Sequence, residues 1–273
     1  MKENISFGAE LPDVVLPGWP QSHRGMPNAL ARSALFNVAN LRSAGERQYF
    51  KRTLIASTKG ITLEYTGEEL RQDDEDVFLQ VLHLAKEQQV GEHILFTAHS
   101  MLLAVGWTIN STSYARLADC LRRMAVTGVE LTMELPSGGR VGFLGSLLRD
   151  FAWREEVTGS PLREWDVSLQ PDIVKLFDPQ AYSVINWKIR LSLPPLAKWL
   201  HSFYSTHKEP FPHKVETLHK LTASNAKDLR TFRPKLKAAL ALLVERGFFL
   251  SARIDPKSDL VIVERAADRR RLE

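Results

Sequence analysis

Lysine and arginine side chains are concentrated near the end of the chain, at spacings suited to binding a polyanion. Between Lys208 and Lys257 the sequence holds eleven Lys or Arg residues against five Asp or Glu residues. They surround an apolar stripe with helical spacing, which predicts an amphipathic helix over residues 229–243. A helix with a cationic outer face fits the major groove of DNA and meets its phosphates. The predicted outer face carries Lys227, Arg230, Arg233, Lys235 and Lys237.

A second helix of the same kind is predicted from an apolar stripe over residues 114–125. Its outer face carries Ser111, Thr112, Ser113, Arg116, Arg122 and Arg123. Hydroxyl groups near a helix N-terminus suit phosphate or base-edge contacts, and the guanidinium of Arg116 could bind a guanine through two hydrogen bonds. Further cations are predicted on two β-hairpins, with Arg140 on the first and Arg253 and Lys257 on the second.

Catalytic and metal-binding patterns are weak in this sequence. Four histidines are spaced six residues apart, which does not bring them onto one helical face. These are His201, His207, His213 and His219. Cys120 lies near an apolar stripe and is expected in the core. The sequence has neither a phosphate-binding loop G-x-x-x-x-G-K-[ST] nor a G-x-S-x-G nucleophile elbow. We therefore expect no catalytic residue, no metal and no cofactor.

An acidic stretch from Glu64 to Asp76 holds seven carboxylates against Arg71 alone. It precedes apolar residues at helical spacing that continue to about Gln89. A solvated face that ends in a helix N-cap, formed by Asp73 or Asp74, is the predicted structure.

Composition limits the class of protein. The chain has 273 residues, of which 44% are hydrophobic and 25% charged, with a formal net charge of +4. This length is typical of two globular domains of ordinary composition. A single cysteine excludes an internal disulfide. No apolar run approaches the roughly 20 residues that span a bilayer, and no secretory signal is apparent. We expect a soluble cytoplasmic protein that does not enter membranes.

Two stretches of the chain predict a similar order of helix, short helix, turn, longer helix and β-hairpin, and the first stretch also has a short strand after its first helix. This order is typical of a winged helix, a helix-turn-helix whose hairpin forms the wing. The first stretch is preceded by a predicted helix at 29–36 and strands at 49–57 and 61–65. It comprises a helix to about 89, a strand at 93–96, helices at 100–105 and 114–125, and a hairpin of strands 129–135 and 140–153. A strand at 165–177 follows. The second stretch comprises helices from 194 to 203, 215–221 and 229–243, and a hairpin of strands 248–254 and 260–263. Pro234 lies inside the last helix.

The predicted fold class is therefore α+β, with two tandem winged-helix domains. The expected organisation is an N-terminal extended arm at residues 1–28, winged-helix domain 1 at 29–178, winged-helix domain 2 at 179–265 and a basic C-terminal tail at 266–273. The tail contains Arg269, Arg270 and Arg271.

Several ordered motifs resemble the TrfA family of plasmid replication initiators, over roughly residues 16–263. The motifs are Met26-Pro27-Asn28, Ala31 to Phe36, Tyr65-Thr66-Gly67, Gly106-Trp107-Thr108-Ile109-Asn110, Cys120-Leu121-Arg122-Arg123 and Ser205 to Pro210. The resemblance implies two winged-helix domains that bind direct repeats, called iterons, in double-stranded origin DNA. It also implies melting of adjacent AT-rich DNA, contact with single-stranded DNA, cooperation with host DnaA and the DnaB helicase, and exchange between monomer and homodimer. The clamp-binding Gln-Leu-Ser-Leu-Phe stretch of some family members is missing from this sequence, so clamp binding through it is not expected.

Two other functions remain compatible with the residues themselves. A winged-helix transcriptional repressor has the same outline, but it would form a stable dimer and read palindromic half-sites. A DNA-processing nuclease with dispersed carboxylates would cleave supercoiled DNA in the presence of a divalent metal.

Overall fold

A computed structural model of the chain describes residues 15–39, 46–86, 93–134, 138–153 and 164–266. The α-helices in these ranges are α1 Asn28–Ala31, α2 Gln72–Ala85, α3 Ala98–Ala104, α4 Ser111–Ala125, α5 Trp187–Leu191, α6 Pro195–Ser205, α7 Val215–Leu221 and α8 Leu229–Glu245. The strands are β1 His23–Pro27, β2 Phe36–Asn37, β3 Tyr49–Leu54, β4 Ile61–Glu68, β5 Leu70–Arg71, β6 Ile94–Phe96, β7 Gly128–Glu134, β8 Arg140–Gly145, β9 Leu148–Trp153, β10 Trp165–Leu169, β11 Tyr182–Asn186, β12 His213–Lys214, β13 Phe249–Ile254 and β14 Leu260–Arg265. The α+β class is confirmed. Residues 267–273 of the predicted basic tail lie outside the described residues.

One arrangement of elements occurs twice. Along the chain it runs helix, strand, helix, helix, strand, strand, and the last strand lies in the middle of a three-stranded sheet. We call the first copy, α2 to α4 with sheet β6-β10-β9, the first module, and the second copy, α6 to α8 with sheet β12-β14-β13, the second module. In each module the third helix is the longest of the three. In the second module β13 follows α8 directly, whereas in the first module β7 and β8 lie between α4 and β9.

The hairpin that the sequence predicts as the first wing belongs elsewhere, so that prediction is wrong. Strands β7 and β8 join β3 and β4 in a separate four-stranded sheet, in the order β3-β4-β7-β8. Alternate residues of the hairpin, among them Leu131 and Phe143, are buried in the first core. The predicted strand at 140–153 breaks between Gly145 and Leu148, and its second part, β9, pairs with β10 in the first module. Arg140 therefore lies in the four-stranded sheet, 3.8 Å from Glu134.

Two other predicted elements differ from the structure. The helix predicted at 29–36 ends at Ala31 and is followed by β2, which pairs in parallel with β5. The strand predicted at 165–177 ends at Leu169 and continues as a 3-10 helix over Pro171–Phe177. By contrast α8 forms as predicted and continues through Pro234 to Glu245. Its start is fixed by Asp228, whose carboxylate accepts a 2.7 Å hydrogen bond from the backbone N–H of Thr231.

Two hydrophobic cores lie in the described residues. One extends from Leu16 to Trp187 and the other from Leu193 to Val263. The part of the predicted arm from residue 15 onward packs on the first core, where Trp19 stacks on Phe177 and β1 pairs with β11. The exact domain boundaries stay a prediction. Among the described helices, none is long and apolar enough to cross a membrane.

Three histidines are packed among aromatic rings in the second core. His201 lies with its ring centroid 4.5 Å from that of Phe248, and His213 lies 5.1 Å from Phe203. Burial lowers the pKa of His207 to about 4, and it lowers the pKa of His201 and His213 as well. Nearby Arg32 and Arg265 act on His207 in the same direction. These side chains stay neutral in the folded protein at pH values where exposed histidines are protonated.

We expect this cluster to make the protein sensitive to acid. Histidines in the unfolded chain take up protons near pH 6.5, whereas burial lowers the pKa of His207 to about 4 and also lowers the pKa of His201 and of His213. The stabilising effect of their neutral packing is complete above pH 6.5 and is lost as the pH falls toward 4. His201→Leu should therefore reduce the fall in Tm between pH 7.5 and pH 5, as followed by tryptophan fluorescence. A pH dependence equal to that of the parent protein would contradict this assignment.

Candidate nucleic-acid interface

The second module presents a cationic face on α8. The inner side of the helix is buried through Phe232, Leu236 and Leu243, which turns the opposite side to solvent. Arg230, Lys235 and Lys237 are exposed on that side, and Lys227 is exposed directly before the N-cap Asp228. Within the described part of the chain, none of these four forms an ion pair. Charges without internal partners are available to an external polyanion, and we call this surface the α8 cationic face.

Arg233 differs from its neighbours because it is already paired. Its guanidinium donates two hydrogen bonds to Asp259, at 2.9 and 2.7 Å, and both side chains are about one third exposed. The contact joins the first half of α8 to the tip of hairpin β13–β14. Arg253 and Lys257 are exposed on this hairpin. The structure thus brings the predicted cations of α8 and of the second hairpin onto neighbouring elements.

The first module exposes hydroxyl groups on its third helix, α4, rather than cations without ion-pair partners. Asn110 caps the helix by accepting a 2.8 Å hydrogen bond from the backbone N–H of Ser113. Ser111 and Thr112 are exposed in the first turn, and Ser113 is half-buried. Arg122 is exposed near the other end of α4, where it pairs with Asp119 at 3.0 Å and lies over the ring of Trp153.

The part of the acidic stretch that forms the first turns of α2 is buried, so the prediction of a solvated face is wrong there. Asp73, Asp74, Glu75 and Asp76 are each at most 5% exposed. The N-cap is Arg71 rather than an aspartate, and Asp74 acts from the third helical position by accepting a 2.8 Å hydrogen bond from the Arg71 backbone N–H. Four carboxylates can be buried here because the helix N-terminus and cationic side chains from distant segments compensate them.

Arg123 is one of those compensating cations, so its predicted place on the outer face is wrong. Its guanidinium lies 2.8 Å from Asp74, and its side chain is only 10% exposed. Burial alone would lower the pKa of Arg123, but the Asp74 carboxylate outweighs burial and raises it. A sequence signal for this existed, because Arg116, Cys120 and Arg123 are spaced four and three residues apart and share one flank of α4.

Arg116 belongs to the same cluster but is held less tightly. It lies 3.2 Å from Asp73, its guanidinium stacks 3.8 Å from the Trp107 ring centroid, and its side chain is 34% exposed. Arg47 contacts both Asp73 and Asp74, at 3.0 and 2.6 Å. The two carboxylates therefore face three guanidinium groups. Arg47 and Arg123 are nearly buried and suffice to balance the charge, which leaves Arg116 as the surplus cation. Neither Arg47 nor Trp107 is among the predicted DNA-binding residues.

The carboxylates of this cluster respond differently to their surroundings. Burial would raise the pKa of Asp73, but the guanidinium groups of Arg47, Arg116 and Arg123 outweigh it and lower the pKa. For Asp74, burial and the adjacent charge of Asp73 dominate, and the pKa is raised. In this cluster behind α4 the guanidinium groups thus favour the ionised form of Asp73, whereas burial and the charge of Asp73 oppose ionisation of Asp74.

Comparisons with known proteins agree with this architecture. The TrfA protein family matches residues 8–265. The "Plasmid replication initiator protein TrfA" of Escherichia coli is 32% identical over 248 residues, which cover 90% of this chain and 63% of that protein. The chain thus spans less than two thirds of this relative's length. Two crystal structures of domains 2 and 3 of RctB match with TM-scores of 0.60 and 0.56 at 13% identity. They cover 87% and 88% of this chain and 98% and 97% of their own, and at this identity the likeness is one of fold.

Proposed function

Because the chain belongs to the TrfA family, we propose that it is a plasmid replication initiator that binds iterons in double-stranded origin DNA through two winged-helix modules. In this proposal binding promotes opening of the adjacent AT-rich DNA, with contact to its single strands, and helps to recruit host DnaA and the DnaB helicase. The protein exchanges between an iteron-binding monomer and a homodimer. Catalysis of unwinding and synthesis is left to host enzymes.

The observation that carries the proposal is the α8 cationic face. Three exposed cations on α8 and a fourth directly before its N-cap have no ion-pair partners among the described residues. They are suited to phosphate binding, which releases the counterions of DNA and drives association. The hairpin cations Arg253 and Lys257 extend the surface from the helix to a wing. This is the arrangement in which a recognition helix enters the major groove while a wing contacts the adjacent backbone.

The two modules support two DNA-reading elements, α4 and α8. Each follows a short helix and precedes the outer strand of a three-stranded sheet, β9 in the first module and β13 in the second. In the proposed winged helices the wing strands are therefore the antiparallel pairs β9 with β10 and β13 with β14. On α4 the contacts are assigned to Ser111, Thr112 and the surplus cation Arg116, so this helix reads DNA with less charge than α8 does.

Selection from a random duplex library, with footprinting of the selected sequences, tests the proposal. At about 150 mM salt, where weak phosphate contacts are screened, we expect an asymmetric site of about two helical turns. A palindromic site would instead support a dimeric repressor, and metal-dependent cleavage of supercoiled DNA would support a nuclease. Absence of sequence enrichment would contradict iteron recognition.

Arg116→Ala tests the assignment on α4. Since Arg116 is the surplus cation, we expect affinity for the selected duplex to fall about tenfold, or about 1.4 kcal/mol. The free energy of unfolding should change by less than about 1 kcal/mol, because the pair with Asp73 is partly exposed. Arg123→Ala is the matched control on the same helix, and it should lower the stability by about 3 kcal/mol because Asp74 loses a buried partner. Equal effects of both variants on stability would refute the distinction between the two arginines.

A further inference from the structure

Helix α2 carries carboxylates that face two different parts of the molecule. Asp73 and Asp74 contact the arginines of α4 and Arg47, as described above. The next two residues, Glu75 and Asp76, contact the segment that leads into the second module. Helix α2 is therefore bound on one side to the DNA-reading helix of the first module and on the other to α5 and α6.

Arg190 on α5 is the centre of the second set of contacts. Its side chain is 0% exposed, and its Nε donates a 2.7 Å hydrogen bond to Asp76. One terminal nitrogen donates to the Ser202 hydroxyl of α6 at 2.7 Å and lies 3.2 Å from Glu75. The other donates to the Gln72 side chain at 3.2 Å. One guanidinium thus ties α2 to α6.

Other contacts fix the same junction. The ammonium of Lys198 on α6 pairs with Asp76, and the Ser202 hydroxyl donates to Glu75 at 2.8 Å. The segment between α1 and β2 adds a 3.1 Å hydrogen bond from the Trp199 indole to the Ser33 carbonyl. All these hydrogen bonds and ion pairs form together only when α6 packs against α2 in one orientation. Buried ion pairs contribute little net stability, but they penalise arrangements that leave a charge unpaired.

We infer that Arg190, with Lys198, is a positioning residue that fixes α8 relative to α4 and thereby sets the spacing of the DNA sequences that the two helices read. The inference rests on the proposed function for its DNA consequence. Two base pairs inserted between the sequences read by the modules shift one of them by about 7 Å and rotate it by about 70°. If the contacts between α2, α5 and α6 are rigid, α8 cannot shift and rotate with the DNA relative to α4. If these contacts are weakened, it can.

The first test compares the selected duplex with the same duplex carrying a two-base-pair insertion between the two protected halves. For the parent protein we expect the insertion to weaken binding by at least about 100-fold, or about 2.7 kcal/mol. In Lys198→Ala the penalty should fall to about tenfold or less, while affinity for the original duplex changes by no more than about threefold. Arg190→Lys, which keeps the charge, should retain more of the penalty than Arg190→Met.

Lys198→Ala is the decisive variant because it should fold. Lys198 is 14% exposed and borders a cavity of about 270 Å³, which also adjoins Trp107 and Arg116, so water can reach the site that its side chain leaves. A folded Lys198→Ala protein with an undiminished insertion penalty would overturn the inference. So would a parent protein that binds both duplexes equally well, and that result would leave the proposed function intact.

A second measurement needs no DNA. Spin labels are placed on the exposed positions of the two helices, in the variant Ala115→Cys with Ala241→Cys, while the native Cys120 is buried. We expect one narrow distance distribution in the parent background and a broader one when Lys198→Ala is added. A broad distribution in the parent background, or identical narrow ones in both, would overturn the inference whether or not the chain binds iterons.

Discussion

Reversing the charge of Arg230 and Lys235, both to Glu, is expected to lower the affinity for the selected duplex by about 10³-fold at moderate salt. Both side chains are exposed on the α8 cationic face, and neither has an ion-pair partner in the described part of the chain. Each lost phosphate contact should also reduce the slope of log K against log salt by about 0.9. Fluorescence anisotropy with the labelled duplex, from 50 to roughly 300 mM salt, measures both quantities.

The control for this variant is Lys59→Glu with Lys175→Glu, which changes the net charge equally. Lys59 lies in the turn between β3 and β4, and Lys175 lies in the 3-10 helix, so neither belongs to α4, α8 or the hairpins of the modules. We expect a loss of less than about threefold from the long-range field alone. Arg233→Glu should have a smaller effect than Lys235→Glu, because Arg233 is already paired with Asp259. Equal losses in the α8 variant and the control would rule out α8 as the principal binding element.

Asp74→Ala is expected to lower the free energy of unfolding by about 3–5 kcal/mol. The change removes the acceptor at the start of α2, a 2.6 Å contact with Arg47 and a 2.8 Å contact with Arg123. Two nearly buried guanidinium groups then compete for the remaining carboxylate, Asp73. Urea denaturation followed by circular dichroism measures the loss.

Two further variants test whether the loss of stability in Asp74→Ala comes from the buried charges. Glu130→Ala removes an exposed carboxylate of β7 and should change the stability by less than about 0.5 kcal/mol. Adding Arg123→Met to Asp74→Ala should recover part of the loss, because the unpaired buried charge is then removed. A loss below about 1 kcal/mol for Asp74→Ala would show that the cluster is hydrated and not held as a buried network.

The parts of the fold that depend on local spacing could be predicted from the sequence. The apolar stripe of α8 predicts the position of the helix and the side on which Arg230, Lys235 and Lys237 lie. The repeated order of helices and short strands also depends on local spacing, and the α+β class was predicted from it.

The errors concern contacts between distant residues. Asp74 is buried because Arg47 and Arg123, 27 and 49 residues away, compensate it, and no window around the acidic stretch contains either partner. The first wing was misassigned because two strands in succession, β8 and β9, join different sheets. A hairpin pattern in the sequence predicts that two successive strands pair with each other, but it does not predict which sheet the hairpin joins.

The pairing of β1 with β11 has a consequence for synthesis of the chain. The side-chain oxygen of Asn28, the residue directly after β1, accepts a hydrogen bond from the hydroxyl of Ser183, which lies 155 residues later. In the described part of the chain β11 is the strand that pairs with β1. At the ribosome, elongation at about 5–20 residues per second leaves the edge of β1 open for about 10–30 s before its partner emerges. For that interval β1 lacks its partner strand and Trp19 lacks the ring of Phe177, so we expect the apolar surface around Trp19 to be open to chaperones during synthesis.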